Sequence, residues 1–407
     1  MPRLWASLHI PTDFIIAKSE TRTAAVEQWL SRAAASSLSV SVCDMEGHWG
    51  WFPSPDSNRK LEALVAVLAR IVFTDMTRET VQALADIEPP HLRSFTFTGD
   101  LSLLPLLKSN LLTGQHLRAI SVSSNSDLNF VPNLPIVWHQ LTHLVLAQTR
   151  HDGESISISK MISLLGRCPQ LVSLSVALGK EEALAGSVSS VSLPFLESFI
   201  VPFRRVIWSQ SHLMYIADCV SMPKLRRFHF PILIENVGSE LDSFSLASLA
   251  SKYPLVQDLA IHLESLHTQA LLETFQAFTA LTQLVVDARV SVPYDAQGFW
   301  ASCGTVRFLE LLTDEDVCPR LQALEIFGIL NLSKFVLDAF LSVRVHATCR
   351  LQRLSLAFDE IRMDPIIPRL SPSETRSYAL EGLHISISPP PQPQIAYASS
   401  PWTGLPP

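Results

Sequence analysis

A short apolar pattern recurs along most of this chain: two apolar residues three positions apart, then a third two positions further on. Its best-formed copy is Leu141, Leu144 and Leu146. The second and third residues of each copy lie on one face of a β-strand, because side chains alternate along a strand. Weaker copies begin at Trp5, Ala35 and Leu68, and the better ones begin at Leu92, Leu117, Leu141, Leu171, Leu196, Leu225, Val256, Leu281, Leu321, Leu351 and Leu380.

The spacing of the copies predicts the architecture. Successive copies begin 24 to 40 residues apart, and a period of roughly 20–30 residues with this pattern is typical of leucine-rich repeats. One such strand cannot bury its apolar face alone, so the copies must stack into a parallel sheet with right-handed crossovers. We therefore predict an α/β fold, a curved right-handed solenoid of irregular leucine-rich repeats with one long parallel sheet and outer helices.

Several intervals between copies predict the outer helices. Their apolar residues recur at helical spacing. A further match to the repeat pattern at 306–311 is interpreted as part of a helix instead of a strand. The predicted helices cover residues 20–33, 60–69, 156–165, 241–251, 268–278, 297–313 and 332–343.

The regularity of the pattern divides the chain into three predicted segments. Residues 1–91 form irregular N-terminal repeats or a cap, and residues 92–388 form the regular array. Residues 389–407 are rich in proline and predict an extended tail of polyproline II type without a core of its own.

Composition narrows the class of protein. The chain is 47% hydrophobic and 17% charged, which is typical of a globular protein. Its net charge of −7 argues against a nucleic-acid partner, which needs a basic face. It has neither an apolar run of membrane-spanning length nor an apolar signal core at its start, so we expect no membrane and an intracellular location, cytoplasmic or nuclear. The six cysteines stand singly, as reduced thiols do.

The sequence gives no sign of catalysis. Phosphate-binding loops, nucleophile elbows and zinc-binding helix motifs are missing, and the 13 histidines are scattered. We expect no enzyme activity, no cofactor and no metal. A triad assembled in space from distant residues would leave no such pattern and stays open.

The strand residues that alternate with the apolar ones predict a binding surface. They face the inner curve of the predicted solenoid, the usual docking face of such arrays. In the early copies they are small: Ser94, Thr96, Ser121, Ser173 and Ser175. The later copies carry larger groups, including the Arg and aromatic side chains that interfaces use as anchors. A partner-binding face and a merely solvated face both remain open for these candidate residues: Arg227, His229, Asp258, His262, Gln283, Asp287, Glu325, Phe327, Arg353 and His384.

Several copies suggest a family. Many lack the Asn or Cys usual after the third apolar position, holding residues such as Asp100, Thr149 and Gly179. The irregular steps, with copies such as CPRLQALEI at 318–326 and LVSLSVAL at 171–178, resemble the repeat region of fungal F-box/leucine-rich-repeat proteins. Residues 2–10 resemble the segment P-x-L-W-x-x-L-x-I that follows the F-box helices in that family.

The resemblance implies a role in recognition. In that family the F-box recruits a Skp-type adaptor of a cullin–RING ubiquitin ligase, and the repeats hold the substrate. The F-box itself is not in this sequence, so an adaptor is expected only for a longer form that carries one. The chain is then a protein-recognition solenoid that resembles a ubiquitin-ligase substrate receptor, or alternatively a protein-interaction scaffold with no ubiquitin role.

Overall fold

The computed structural model divides the chain into two compact units. The first includes Met1–Gly179, and the second is Lys180–Ile395. The structure describes residues 7–11, 38–43, 68–74, 91–99, 110–124, 127–148, 155–179, 190–202, 204–208, 210–230, 232–234, 246–263, 268–288, 298–314, 316–329, 331–346, 350–358 and 367–388.

Seven strands of the first unit pair in parallel, each with the strand before it in the chain. They are β1 (Ser7–Pro11), β2 (Leu38–Cys43), β3 (Leu68–Thr74), β4 (Ser94–Gly99), β5 (Ala119–Ser124), β6 (His143–Gln148) and β7 (Ser173–Val176). Parallel neighbours need a crossover. The crossovers described here hold helices α1 (Asn110–Thr113) and α2 (Ile158–Leu165), and the 3-10 helices η1 (Leu128–Asn133) and η2 (Trp138–Gln140).

The second unit holds a similar parallel series and two short strand pairs. Its strands are β8 (Val191–Ser192), β9 (Ser198–Ile200), β10 (Arg204–Trp208), β11 (Val220–Ser221), β12 (Arg227–Phe230), β13 (Ile232–Ile234), β14 (Asp258–His262), β15 (Gln283–Asp287), β16 (Ala323–Ile329), β17 (Arg353–Phe358) and β18 (His384–Ser388). The main series runs β9, β12, β14, β15, β16, β17, β18, while β8 pairs with β11 and β10 with β13. The helices are α3 (Gln210–Cys219), α4 (Ala247–Lys252), α5 (Thr268–Ala277), α6 (Gly298–Leu311), α7 (Lys334–His346) and α8 (Pro372–Leu380).

Side chains alternate along the strands between a core and a polar face. In β5, Ile120 and Val122 are buried while Ser121 and Ser123 are partly exposed. In β16, Leu324 is buried, and the same position of every neighbouring strand in the series is apolar. Burying one such side chain stabilises the fold by about 1.5–3 kcal/mol, so the stacked apolar positions are the main source of stability in each sheet.

In most of the described repeats, one backbone carbonyl just before a strand accepts two N–H groups from the next repeat. The Arg93 carbonyl accepts hydrogen bonds from the N–H groups of both Arg118 and Ala119, at 2.8 and 3.0 Å. The Thr142 hydroxyl adds a bond of 3.1 Å to the next carbonyl in the series, that of Arg118. These bonds join one repeat only to the next repeat. Contacts of this kind hold a stacked array of repeats together. The arrangement recurs at the carbonyls of Arg118, Thr142, Glu197, Arg226, Gln257, Thr282 and Gln322.

A buried arginine fixes the end of helix α6 in the second unit. Arg344 is 1% exposed, and its Nε donates to the Leu312 carbonyl at 2.6 Å. Its Nη1 donates to the Cys318 carbonyl at 3.3 Å. Its Nη2 donates to the carbonyls of Asp314 and Val317, at 3.1 and 2.5 Å. Leu312 directly follows the last residue of α6, and a carbonyl at a helix C-terminus lacks an intrahelical partner. The other three carbonyls lie in the segment after the helix, so the guanidinium holds the helix end and this segment together.

Most predicted elements that fall on described residues are confirmed. The helices predicted at 156–165, 268–278, 297–313 and 332–343 are present as α2, α5, α6 and α7, with ends that differ by at most three residues. The prediction at 241–251 is confirmed for the part that lies in α4. The prediction at 60–69 was wrong for Leu68 and Ala69, which begin β3. The rest of that range, the helix predicted at 20–33 and the tail at 389–407 lie outside the described residues.

The last predicted copy was placed two residues too early. Leu380 was expected in the core, but it ends α8 and is 85% exposed. The strand register instead pairs Ile385 with Leu354 and Ile387 with Leu356. The α/β class and the parallel sheet are otherwise confirmed in each unit, and the arrangement is compatible with a solenoid.

Candidate functional site

The polar face of the second unit is formed by the residues of β12 and β14–β18 that alternate with the buried apolar ones. Strand register arranges them in rows, with neighbours about 4.8 Å apart. The first row is Arg227, Asp258, Gln283, Ala323, Arg353 and His384. The second is His229, Ala260, Val285, Glu325, Ser355 and Ser386, and the third includes His262, Asp287, Phe327 and Ala357. All ten candidate residues therefore lie on one face, in three adjoining rows.

One corner of the polar face is an ion-pair cluster. Arg227 Nε donates to Asp258 Oδ2 at 2.6 Å, and His229 Nε2 lies 2.8 Å from Asp258 Oδ1. The side chain of Asp258 is 13% exposed and that of Arg227 is 49% exposed. Burial raises the pKa of Asp258, but the hydrogen bonds and charges of His229 and Arg227 outweigh it and hold that pKa below its ordinary value. The cluster therefore keeps an ionised carboxylate paired within the protein.

Three candidate residues are buried beneath this face. Asp258, His262 and Asp287 are 9%, 2% and 4% exposed. Their side chains lie on the predicted face, but they do not present a surface to solvent. Alternation along a strand decides which face a residue is on. The exposed fraction of that residue depends on side chains from neighbouring strands, and alternation within one strand does not predict it.

The other end of the polar face is accessible. Arg353 and His384 are exposed, and Glu325 and Phe327 are partly exposed. Arg353 follows Ala323 in the first row, while Glu325 is the next polar-face residue of the same strand as Ala323. Within the described part of the chain, the side chains of Arg353 and Glu325 form no hydrogen bond or ion pair. A cation, an anion and an aromatic ring thus lie together without partners from the described residues. Of the other candidates, His229 is a partly exposed member of the ion-pair cluster, and Gln283 is partly exposed beside Asp258 in the first row.

Two groups of side chains in the structure were not predicted from the sequence. The pairing of Arg227 and His229 on Asp258 needed the register between strands, which no single strand reveals. A set of exposed cations in the first unit was also missed, although a repeated tripeptide marks it: His-Leu-Arg stands at 91–93 and again at 116–118.

The described residues hold neither a metal-binding cluster nor a membrane-spanning helix. No group of three or more His, Cys, Asp or Glu side chains there is placed to hold a metal ion. No helix in that part of the chain is long and apolar enough to cross a bilayer.

The thiols of Cys168 and Cys318 are free and buried, and burial raises the pKa of each to about 12 despite a nearby arginine. These two thiols are therefore unreactive in the folded protein.

Comparison with known proteins gives weak likenesses. No family model matches the chain, and no curated protein matches it. One similar solved structure is a Bacteroides fragilis protein, with a TM-score of 0.37 and 14% identity over 69% of this chain and 67% of that one. Another is the complex of Rad7 and Elc1 in yeast, with a TM-score of 0.39 and 13% identity over 81% of this chain and 83% of that one. Likenesses this low carry no conclusion about function.

Proposed function

We propose that the chain is a protein-recognition module that docks a partner on the polar face of the second unit. The docking end is formed by Glu325, Phe327, Arg353 and His384. One observation carries the proposal: these four side chains lie together across β16–β18, accessible to solvent. Interfaces are enriched in arginine and aromatic anchors, and opposite charges side by side select a complementary surface.

The chemistry of the face favours binding over catalysis. The pKa of Asp258 is held below its ordinary value by Arg227 and His229, so Asp258 is a poor general acid. A Ser–His–Asp arrangement would place a hydroxyl or thiol on the second nitrogen of His229. Among the described residues, no such group hydrogen-bonds to His229. The proposal is therefore one of recognition without a chemical step.

The sequence resemblance gives the proposal its finer form. It favours a substrate-receptor-like role of the fungal F-box/leucine-rich-repeat kind, in the cytoplasm or nucleus, with the ubiquitin-ligase substrate on the polar face. A Skp-type adaptor would join through an F-box in a longer form. A protein-interaction scaffold would use the same face without any ligase component.

Affinity purification with quantitative mass spectrometry tests the proposal. The tagged chain is compared with the double variant Arg353→Glu, His384→Glu and with a matched control, Lys160→Glu, Arg376→Glu, whose side chains are also exposed. Arg227 is kept, because a glutamate there would repel the Asp258 carboxylate. Partners that fall by roughly tenfold in the first variant and stay in the control support the docking end.

Two outcomes decide between the forms of the proposal. A Skp-type adaptor and a cullin recovered with the face-dependent partners would support the ligase role, and face-dependent partners alone would support a scaffold. If every partner is recovered equally with both variants, the docking end is placed wrongly.

A further inference from the structure

A cationic edge lies in the first unit, where strands β4, β5 and β6 begin. It consists of His91, Arg93, His116, Arg118 and His143, all of them exposed. Each His-Leu-Arg tripeptide buries its leucine in the core. The flanking histidine and arginine consequently face solvent on both turns.

The two arginines occupy equivalent places on adjacent turns. The Arg93 carbonyl accepts the N–H of Arg118 at 2.8 Å, and the Arg118 carbonyl accepts the N–H of His143 at 3.1 Å. Adjacent turns are about 4.8 Å apart, and like charges side by side repel unless an anion lies between them. Arg118 Nη1 donates to the carbonyls of Gln115 and Leu117, at 3.0 and 3.2 Å. These bonds orient the guanidinium but leave its charge unbalanced.

Carboxylates are scarce among the described residues around this edge. The guanidinium of Arg93 has no hydrogen bond or ion pair with any described residue. Over the described residues between 91 and 179, Asp127 is the only carboxylate, against four cationic side chains, Arg93, Arg118, Lys160 and Arg167. Asp127 is already engaged, because its Oδ1 accepts the N–H of Asn129 at 2.7 Å and caps η1. Positive charge is thus in excess over these described residues, whereas the whole chain carries −7.

The strand face next to the cationic edge is uncharged, so it would not repel an anionic ligand bound at the edge. It carries the small residues predicted from the early copies, which are partly exposed: Ser94, Thr96, Ser121, Ser173 and Ser175. Hydroxyl groups donate hydrogen bonds and bear no charge. An extended peptide lying along the edge would meet guanidinium groups on one side and hydroxyl groups on the other.

We infer that the cationic edge is a docking site for an acidic peptide, an extended stretch of Asp or Glu side chains in a partner protein. The planar fork of arginine binds a carboxylate through two parallel hydrogen bonds. Three strand starts span about 10 Å, which suits two or three carboxylates of a peptide, whereas a nucleic-acid backbone carries a longer row of phosphates than this edge can pair. This site lies on the first unit and does not depend on the docking end proposed for the second.

Fluorescence anisotropy with the whole chain tests the inference. The probe is a fluorescein-labelled octapeptide of alternating Glu and Ser, and its partner probe has Gln in place of Glu. The double variant Arg93→Gln, Arg118→Gln is compared with Lys160→Gln, Arg376→Gln, which removes two exposed cations elsewhere. Circular dichroism melts confirm that both variants fold as the parent chain does.

The expected result is saturable binding of the Glu probe only. Its affinity should fall at least about tenfold in the edge variant, stay within about twofold in the control, and weaken roughly fivefold between about 0.05 and 0.5 M salt. No binding by the parent chain, equal binding of the Gln probe, or unchanged affinity in the edge variant would overturn the inference. Tighter binding of a single-stranded oligonucleotide at the same edge would overturn the choice of a peptide.

Discussion

Replacing Arg344 by methionine removes the guanidinium that closes the end of α6. Methionine keeps an unbranched side chain of similar reach, so the change deletes hydrogen bonds and charge more than volume. The four carbonyls of Leu312, Asp314, Val317 and Cys318 lose this donor. The variant therefore tests how strongly one side chain holds this helix end.

The magnitude follows from which of those carbonyls water can reach. Leu312 and Val317 are 0% exposed, so each of these two carbonyls left unpaired costs about 1–3 kcal/mol. The Cys318 carbonyl keeps a second donor, the N–H of Leu321 at 3.0 Å. Asp314 is exposed, and water can replace its bond. Local relaxation keeps the total near the lower end, so we expect Arg344→Met to lower the free energy of unfolding by about 2–4 kcal/mol. Arg344→Lys keeps the charge but not the fork, and should cost about half as much.

Urea unfolding followed by circular dichroism measures this loss. Arg376→Met, at an exposed position of α8, is the matched control and should change stability by less than about 0.5 kcal/mol. Hydrogen exchange should show faster exchange in 312–318 of the Met variant. A loss of less than about 1 kcal/mol would refute the argument that these buried carbonyls depend on the guanidinium.

Three further variants or treatments test other parts of the structure. Because the folded pKa of Asp258 lies below its ordinary value of 3.8, its pairing stabilises the fold above that pH and is lost as the pH falls through the folded pKa. Asp258→Asn should therefore cost about 1 kcal/mol in urea unfolding at neutral pH, with a difference from the parent chain that shrinks in acid; a constant difference would contradict the pairing. Leu324→Ala should cost about 2–5 kcal/mol, whereas Leu380→Ala should be nearly neutral, and similar losses would show that the corrected register of β18 is wrong. Iodoacetamide at about pH 8 should leave Cys168 and Cys318 unmodified in the native protein and alkylate both in urea, as mass spectrometry would show.

The sequence predicted which side of the sheet a residue lies on better than how deeply it lies there. Side chains alternate along a strand, so a residue whose two neighbours are in the core lies on the opposite face. Arg353 and Glu325 lie on the face that this alternation predicts. The burial of His262 and Asp287, and the pairing of Asp258, depend on strands that are distant in sequence. No local pattern contains that information.

The misplaced final copy shows how two periodicities compete. Leu380, Leu383 and Ile385 fit the strand pattern, yet α8 continues through Leu380. The sequence did hold a signal for this helix, because Ser371 and Glu374 form a capping box with Pro372 between them. The short pairs β8–β11 and β10–β13 had no comparable signal, because their residues do not follow the repeated apolar spacing that marks the strands of the main series.

The carbonyl that accepts two N–H groups in most of the described repeats has a consequence for how such a chain diverges. The turns at Arg93 and Arg118 are 25 residues apart, and those at Thr282 and Gln322 are 40 apart, yet the second pair keeps bonds of 2.8 and 3.0 Å, as the first does. These bonds therefore align each of these repeats with the preceding repeat, whatever the length of chain between them. Insertions and deletions between turns leave the strands aligned, so relatives of this protein can differ in length and lose recognisable similarity while the face that a partner meets stays in place.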